Sequence, residues 1–215
     1  MAARVLFAFC LLLVLSERAT GQTGRTRVAG PFALASGVCA QRPFDSFVGR
    51  AEGVPGGLPQ DRPARTRDIH FTPTRHATAD AMLQLAGVTA SDVVYDLGSG
   101  DGRILIIAAQ KYGATGVGVE IDPRLVEQSW RNANDAEVAH RVKFVVGDLF
   151  ETDFSDATVV TMYLSPSILN QLAPKLRSLK PGTRIVSHQF PIRGWPPDER
   201  RQVAESELLL WRIPK

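Results

Sequence analysis

The chain has 215 residues, a hydrophobic fraction of 44% and a formal net charge of +3, which is typical of one globular domain with an additional segment. Residues 1–76 carry 10 Lys and Arg against 5 Asp and Glu, whereas residues 77–215 carry 15 against 17. The folded part is therefore slightly acidic, which argues against a nucleic-acid-binding surface on the core domain.

Residues 1–21 have the pattern of an export signal. Arg4 gives a short positive region, residues 5–15 are uniformly apolar, and residues 19–21 (Ala-Thr-Gly) place small side chains at a cleavage site. Eleven apolar residues are fewer than the roughly twenty that span a bilayer. We predict cleavage of this signal peptide after Gly21 and export to the periplasm or the cell exterior. A retained membrane anchor with the domain in the cytoplasm, or an organellar address, is the alternative, and membrane contact is expected only through this segment.

Residues 22–68 are rich in Gly, Pro and Arg and show no hydrophobic period. This composition predicts a flexible arm between the signal and the folded domain. The domain itself is expected over residues 69–215, because hydrophobic periodicity begins there.

From residue 69 onward, short apolar runs alternate with segments of helical period. In chain order, the predicted elements are helix 78–86, strand 93–97, helix 103–112, strand 116–121, helix 123–136, strand 142–146, strand 158–164, helix 166–179, strand 184–190 and strand 207–213. Strands that alternate with helices of ten to fifteen residues form a parallel sheet covered on both faces. The predicted fold class is therefore α/β, a doubly wound, mostly parallel sheet of the Rossmann-like kind.

The loop after the first predicted strand contains three glycines in five residues. The strand carries Asp96 near its end, and Gly98, Ser99, Gly100 and Gly102 follow before the next helix. Glycine permits positive φ and lets a ligand approach the backbone closely. The loop leads to a helix N-terminus at the carboxyl end of a parallel sheet, where doubly wound folds bind ligands. On its own, the pattern also suits an ordinary strand-to-helix turn.

Two further carboxylates follow the next two strands. Glu120 ends the second strand, 24 residues after Asp96, where a carboxylate can accept both hydroxyls of a ribose. Asp148 ends the third strand and could accept the amine of an adenine, with Leu149 or Phe150 packing near the ring. Singly, each acid is more often a helix cap or a turn residue. Three acids at consecutive strand ends, however, should face one crevice.

The run from Asp96 to Gly102, followed by Glu120 and Asp148, resembles motifs one to three of class I S-adenosylmethionine-dependent methyltransferases. The resemblance implies S-adenosylmethionine as the cofactor, with its methionine part at Asp96 and the glycine loop. It also implies ribose binding by Glu120 and adenine binding by Asp148. A nicotinamide enzyme normally carries G-x-G-x-x-G at this place, whereas this chain has G-x-G-x-G at residues 98–102.

Residues 71–74 (Phe-Thr-Pro-Thr), 188–191 (His-Gln-Phe-Pro) and 195–198 (Trp-Pro-Pro-Asp) are similar to segments of a narrower group. This group comprises the ATP synthase c-subunit lysine methyltransferases and their bacterial relatives. It implies a protein lysine amine as the methyl acceptor, and Thr72 and Thr74 at the carboxylate end of the cofactor. The broader fold usually ends in a seventh, antiparallel strand. The apolar runs of this chain account for only six strands, so we expect a sheet that lacks its last strand.

A lysine amine must reach the cofactor neutral, and an apolar, aromatic lining lowers its pKa by desolvation. The candidate catalytic residues are Tyr163 after the fourth strand and His188 on the fifth, with Ser165, Pro166, Phe190 and Trp195 as further lining. Tyr163 and Phe190 could equally be core residues, and His188 could simply satisfy a backbone group. A small-molecule acceptor, a catalytically silent binding protein and another nucleotide-dependent enzyme are the alternatives. The oligomeric state is left open.

The cysteines and histidines do not predict a metal site. Cys10 lies in the apolar N-terminal run, so its removal would leave Cys39 without a partner for a disulfide. The four histidines are scattered along the chain and lack the spacing of metal ligands.

Overall fold

The structure is a computed structural model and describes residues 72–215. The elements are α1 (His76–Ala86), β1 (Val93–Leu97), α2 (Arg103–Tyr112), β2 (Thr115–Glu120), α3 (Pro123–Asp135), β3 (Val142–Val146), β4 (Val159–Met162), α4 (Pro166–Arg177), β5 (Arg184–His188), β6 (Glu199–Val203) and β7 (Ser206–Arg212). The predicted export signal, the arm and Phe71 lie outside the described residues. Within residues 72–215, no helix is long and apolar enough to cross a membrane.

The seven strands form one sheet in the order β3-β2-β1-β4-β5-β7-β6. Strands β1 to β5 pair in parallel, and β7 is antiparallel to both β5 and β6. The chain reverses its direction of winding between β1 and β4. Doubly wound folds bind ligands at the carboxyl ends of the strands beside such a switch point. The prediction of an α/β, doubly wound, mostly parallel sheet is confirmed.

The expectation that the sheet lacks its last strand is wrong. The segment before the last predicted strand forms β6, which pairs with β7 and completes a seven-stranded sheet. Four of the five residues of β6 (Glu-Arg-Arg-Gln-Val) are charged or polar, so a search for apolar runs passes over it. A charged strand suits the edge of a sheet because it resists pairing with a second chain.

The side chains of β1 alternate between two hydrophobic cores, one on each face of the sheet. Val94 packs into the core that contains α1 and α2, whereas Tyr95 and Leu97 pack into the core that contains α4. Leu105 of α2 and Leu172 of α4 are almost fully buried in these two cores. Each such leucine contributes about 1.5–3 kcal/mol to stability by its removal from water. The sheet is thereby held between two helical layers, and its strand ends remain open for ligands.

A polar cluster fixes the amino ends of the central strands. The buried Asp92 carboxylate, just before β1, accepts hydrogen bonds from the Thr158 hydroxyl (2.7 Å) and the Arg184 guanidinium. Arg184 also donates to the carbonyl oxygen of Ala86 at the end of α1. Burial on its own would raise the pKa of Asp92, but these hydrogen bonds and the arginine charge outweigh it and lower the pKa. The cluster therefore ties α1, β1, β4 and β5 together at the end of the sheet away from the strand carboxyl ends.

Candidate functional site

A cavity of about 510 Å³ lies at the carboxyl ends of β1 to β4, within the usual size range of small-molecule sites. We call it the main cavity. Asp96, Glu120 and Asp148 all line it, so the structure brings the three predicted carboxylates together. Their individual roles toward a cofactor stay predictions.

The glycine loop requires glycine at its first and last positions. Gly98 has φ +80° and Gly102 has φ +79°, a region that side chains disfavour. A Cβ on Gly98 would lie 3.0 Å from a Leu164 methyl group, and one on Gly102 would lie 2.6 Å from the Phe144 ring. Both positions therefore favour glycine by their backbone conformation, and at Gly102 the Phe144 ring also leaves no room for a Cβ.

Only part of the glycine loop lines the main cavity. Gly98 and Ser99 are in its wall, whereas Gly100 and Gly102 are not. The amide of Gly100 donates to Glu120 Oε2 (3.0 Å), and its carbonyl accepts from the Ser129 hydroxyl (2.8 Å). In this structure, Gly100 orients an acid of the site and Gly102 lets α2 pack closely.

Asp96 is a deeply buried acid at the centre of the site, with 2% of its surface exposed. Its Oδ1 accepts a hydrogen bond from the Thr161 hydroxyl (2.7 Å). Burial raises the pKa of Asp96 to about 7, the negative charges of Glu120 and Asp101 add to this effect, and the Thr161 hydrogen bond opposes it. The carboxyl group therefore titrates near neutral pH, and a nearby positive charge would favour its ionised form.

Glu120 is held by backbone amides on both sides. Its Oε2 accepts from Gly100, and its Oε1 accepts from the amides of Ile121 (2.9 Å) and Asp122 (3.0 Å). The Ile121 side chain is 42% exposed and lines the main cavity. The apolar pattern of the sequence had placed Ile121 in a buried strand, so it was missed as a site residue. β2 in fact ends at Glu120, which leaves an apolar side chain beside the acid.

Asp148 lies in the loop after β3, together with Leu149 and Phe150, and all three line the main cavity. The Asp148 carboxylate accepts from the Phe150 amide (2.9 Å), which fixes the turn. Lys175 of α4 donates to the carbonyls of Phe150 (3.0 Å) and Thr152 (2.5 Å) and holds the loop from below.

The segment before α1 forms another wall. Thr72 and Thr74, both predicted site residues, line the main cavity together with Pro73. The carbonyl of Thr74 accepts a hydrogen bond from Arg103 Nη1 (2.9 Å), and its hydroxyl lies 3.4 Å from His188 Nδ1. The structure thus places this segment against both α2 and the end of β5.

Tyr163 lines the main cavity, but His188 does not. The two rings are in contact, with 4.1 Å between their centroids, and the Phe190 ring lies nearly parallel to the Tyr163 ring with 6.2 Å between their centroids. Burial lowers the pKa of His188. His188 therefore supports Tyr163 from outside the wall. Trp195 is not part of the wall either, because it packs on Trp211 in the core.

Several residues of the wall were not predicted from the sequence. Each of them reaches the cavity either through a long-range contact or because its helix begins beside the cavity. They include Asp101, Arg103, Ile104, Leu125, Ser167, Ile168 and Gln171. Ser167, Ile168 and Gln171 lie on the first turns of α4, so their helix begins at the carboxyl edge of the sheet and points them at the cavity. Their position after a strand end was the available signal.

The charges of the wall indicate which ligands fit. Four carboxylates line the main cavity: Asp96, Asp101, Glu120 and Asp148. The one cation in the wall, as far as residues 72–215 define it, is Arg103, which is paired with Asp101. Such a wall disfavours the pyrophosphate of a dinucleotide and suits a ligand that carries positive charge, such as the sulfonium and ammonium groups of S-adenosylmethionine. In the described part of the chain, no three His, Cys, Asp or Glu residues are grouped to hold a metal ion.

Known proteins are similar to this chain in sequence and in fold. The family model described as ANTKMT methyltransferase domain matches residues 96–199. A protein-lysine N-methyltransferase of Saccharolobus islandicus (strain REY15A) is 44% identical over 142 residues, which is 65% of this chain and 88% of the relative. The ATP synthase c-subunit lysine N-methyltransferase of Homo sapiens is 41% identical over 131 residues, 60% of this chain and 55% of that protein. The chain thus spans about half the length of the human relative.

A solved structure agrees on the cofactor and differs on the acceptor. The RNA methyltransferase from Salinibacter ruber, whose crystal structure was solved in complex with S-adenosyl-L-homocysteine, is 51% identical to this chain in sequence, and the two structures have a TM-score of 0.66. The alignment covers 67% of this chain and 95% of the Salinibacter chain. These relatives have methyl transfer in common, and their names give two different acceptors, protein lysine and RNA.

Proposed function

Since this chain belongs to the ANTKMT-type family of class I S-adenosylmethionine-dependent methyltransferases, we propose that it methylates the ε-amine of a lysine in a protein. When bound, the cofactor would supply a methyl group on a positively charged sulfur, and the C–S bond would break as the lysine nitrogen forms its new N–C bond. The lysine must therefore lose its ammonium proton to solvent before the transfer, because only the neutral amine has a free lone pair. The rest of the catalysis is positioning and desolvation by the chain.

We assign the cofactor to the main cavity, with each predicted residue in a separate part of it. Asp96, Gly98 and Ser99 would contact the methionine part, and Thr72 and Thr74 would cover its carboxylate end. Glu120 would accept the ribose hydroxyls, since its carboxylate is already oriented by three backbone amides. Asp148 and Leu149 would contact the adenine, with Ile121 as a further apolar contact.

The observation that carries the lysine assignment is the absence of an unpaired cation in the described wall of the main cavity. Recognition of an RNA backbone depends on Lys and Arg that neutralise phosphates, and Arg103 is already paired with Asp101. Residues 72–215 carry 16 Lys and Arg against 17 Asp and Glu, so the domain as a whole is not basic. A wall without free cations does not repel a lysine side chain as it enters.

The side of the cavity after β4 supports the same acceptor. Tyr163, Leu164, Ser165 and Ile168 line it and carry no charge, so a lysine that enters beside them leaves water and loses its proton more easily. Tyr163 would contact the acceptor, and the neutral His188 ring would hold Tyr163 in place. A protein substrate would then place a single side chain in the cavity.

The test uses methyl-labelled S-adenosylmethionine, the full chain, and protein extract and total RNA from the source organism as two separate substrates. We expect label that proteases release and RNase does not, recovered as methyl-lysine after acid hydrolysis. The Glu120→Ala variant is the control for label that does not depend on the cavity. RNase-sensitive label would contradict the lysine proposal and favour RNA, and label only in small molecules would contradict both.

A further inference from the structure

Residues 72–74 form a wall of the main cavity without belonging to a helix or strand. Thr72 and Pro73 are exposed to solvent, and Thr74 is buried. The N-cap residue of the helix that follows, Arg75, makes no side-chain capping bond. The position of this segment therefore depends on contacts from other elements.

Arg103, the first residue of α2, makes the strongest of these contacts. Its Nη1 donates to the Thr74 carbonyl at 2.9 Å. The other side of the guanidinium is held by the Asp101 carboxylate, with Nε to Oδ1 at 2.8 Å and Nη2 to Oδ2 at 2.5 Å. Because this pairing fixes the plane of the guanidinium, Nη1 is directed at Thr74. The second contact, between His188 Nδ1 and the Thr74 hydroxyl, is longer at 3.4 Å and therefore weaker.

We propose that Arg103 is a positioning residue that holds residues 72–74 across the cofactor cavity and links this segment to the glycine loop through Asp101. The inference rests on the cofactor cavity proposed above. It adds a hydrogen bond between residues that are 29 positions apart in the sequence, so no single sequence motif contains both Arg103 and Thr74. With the bond intact, the segment is held as one wall of the cavity. Without it, the side-chain hydrogen bonding that remains to Thr74 within residues 72–215 is the longer histidine contact.

The chain contains a matched arginine that serves only the fold. Arg184 pairs with the buried Asp92, as Arg103 pairs with the half-buried Asp101, and it also donates to a backbone carbonyl, that of Ala86. Neither Arg184 nor its partners line the main cavity, and they lie at the opposite end of the sheet. A purely structural role for Arg103 would make substitutions at the two arginines equivalent in their effects on ligand binding.

The experiment compares Arg103→Met, Arg103→Lys and Arg184→Lys in the full chain. Calorimetry with S-adenosyl-L-homocysteine measures Kd, and steady-state assays separate KM for S-adenosylmethionine from kcat. Limited trypsin digestion with mass spectrometry measures cleavage at the exposed Arg75, through the fragment that begins at His76.

For Arg103→Met, we expect Kd and KM for the cofactor to rise about 10- to 100-fold, the range for one hydrogen bond from a charged donor. The kcat at saturating cofactor should change less than about threefold, because the residue acts on the wall and not on the reacting atoms. Arg103→Lys, which keeps the charge without the planar fork, should be intermediate. Cleavage at Arg75 should be faster in Arg103→Met, and S-adenosyl-L-homocysteine should protect this bond in the wild type more than in the variant. Arg184→Lys should lower Tm and leave Kd unchanged.

Two results would overturn the inference while the cofactor cavity stands: a wild-type Kd in both Arg103 variants, or a raised Kd with unchanged cleavage at Arg75. The second would mean that Arg103 contacts the ligand directly. Failure of the wild-type protein to bind S-adenosyl-L-homocysteine would overturn the proposed cavity and this inference with it.

Discussion

Replacing Asp96 by Asn should stabilise the ligand-free protein at alkaline pH and weaken cofactor binding. In the folded protein, burial raises the pKa of the Asp96 carboxyl from 3.8 to about 7. The folded state therefore binds more protons than the unfolded state between these two values, and stability falls as the pH rises through that window. Asparagine has nearly the same shape and carries no charge, so this loss disappears in the variant.

The size of the effect follows from the two pKa values. Linkage with an unfolded pKa of 3.8 and a folded pKa of about 7 predicts that this one group removes about 3 kcal/mol of stability between pH 5 and pH 8. Solvent screening does not reduce this change in stability, since only 2% of Asp96 is exposed. Urea unfolding of the ligand-free wild type and Asp96→Asn at pH 5, 6.5 and 8 measures the difference directly.

Asp92→Asn is the matched control, because Asp92 is also buried and its pKa is lowered. A lowered pKa contributes stability above the unfolded value, and this stability is lost as the pH falls through the folded pKa. Asp92→Asn should thus destabilise the protein most at neutral pH and least in acid. Parallel pH curves for the wild type and Asp96→Asn would refute the reasoning. So would a wild-type affinity of Asp96→Asn for S-adenosylmethionine at pH 8.

Three further predictions concern the loops and the N-terminus. Gly102→Ala should cost more than about 3 kcal/mol by urea unfolding, since strain at positive φ is joined by a clash with Phe144 at 2.6 Å. Gly182→Ala, also at positive φ but with nothing within 4 Å, should cost only about 1–2 kcal/mol; equal costs would contradict the packing argument. Lys175→Met removes two side-chain bonds that help to hold the loop after β3. It should raise Kd for S-adenosyl-L-homocysteine about 3- to 10-fold by calorimetry, and an unchanged Kd would count against that loop as part of the site. N-terminal sequencing of the protein from its source organism should begin at Gln22, and an intact N-terminus would instead favour the anchor.

The parts of the site that follow strands were predictable from the sequence. Asp96, Glu120 and Asp148 come at the ends of short apolar runs, and parallel strands bring their carboxyl ends to one edge. This constraint on their positions is strong, because residues that follow parallel strands can lie at only one edge of the sheet. Every predicted helix and strand is present in the structure, with bounds within two residues of the predicted ones.

The parts that depend on long-range contacts or on polar strands were not predictable. The bond from Arg103 to the Thr74 carbonyl has no signature in the sequence, because any donor of suitable length could make it. β6 was missed because its residues are polar. The fifth strand was predicted two residues too long, since Gln189 adopts φ +71° and ends it at His188. Phe190 is thereby turned toward Tyr163.

The polar cluster of Asp92 and Arg184 lies at one end of the sheet and the main cavity at the other. Substitutions around the cavity can therefore change which molecule receives the methyl group without loosening the joints between α1 and the central strands. Because separate residues stabilise the fold and form the cavity, the methyl acceptor can change during evolution while the fold stays the same. This separation offers a physical reason why two proteins that are each about half identical to this chain carry the names of enzymes with such different targets.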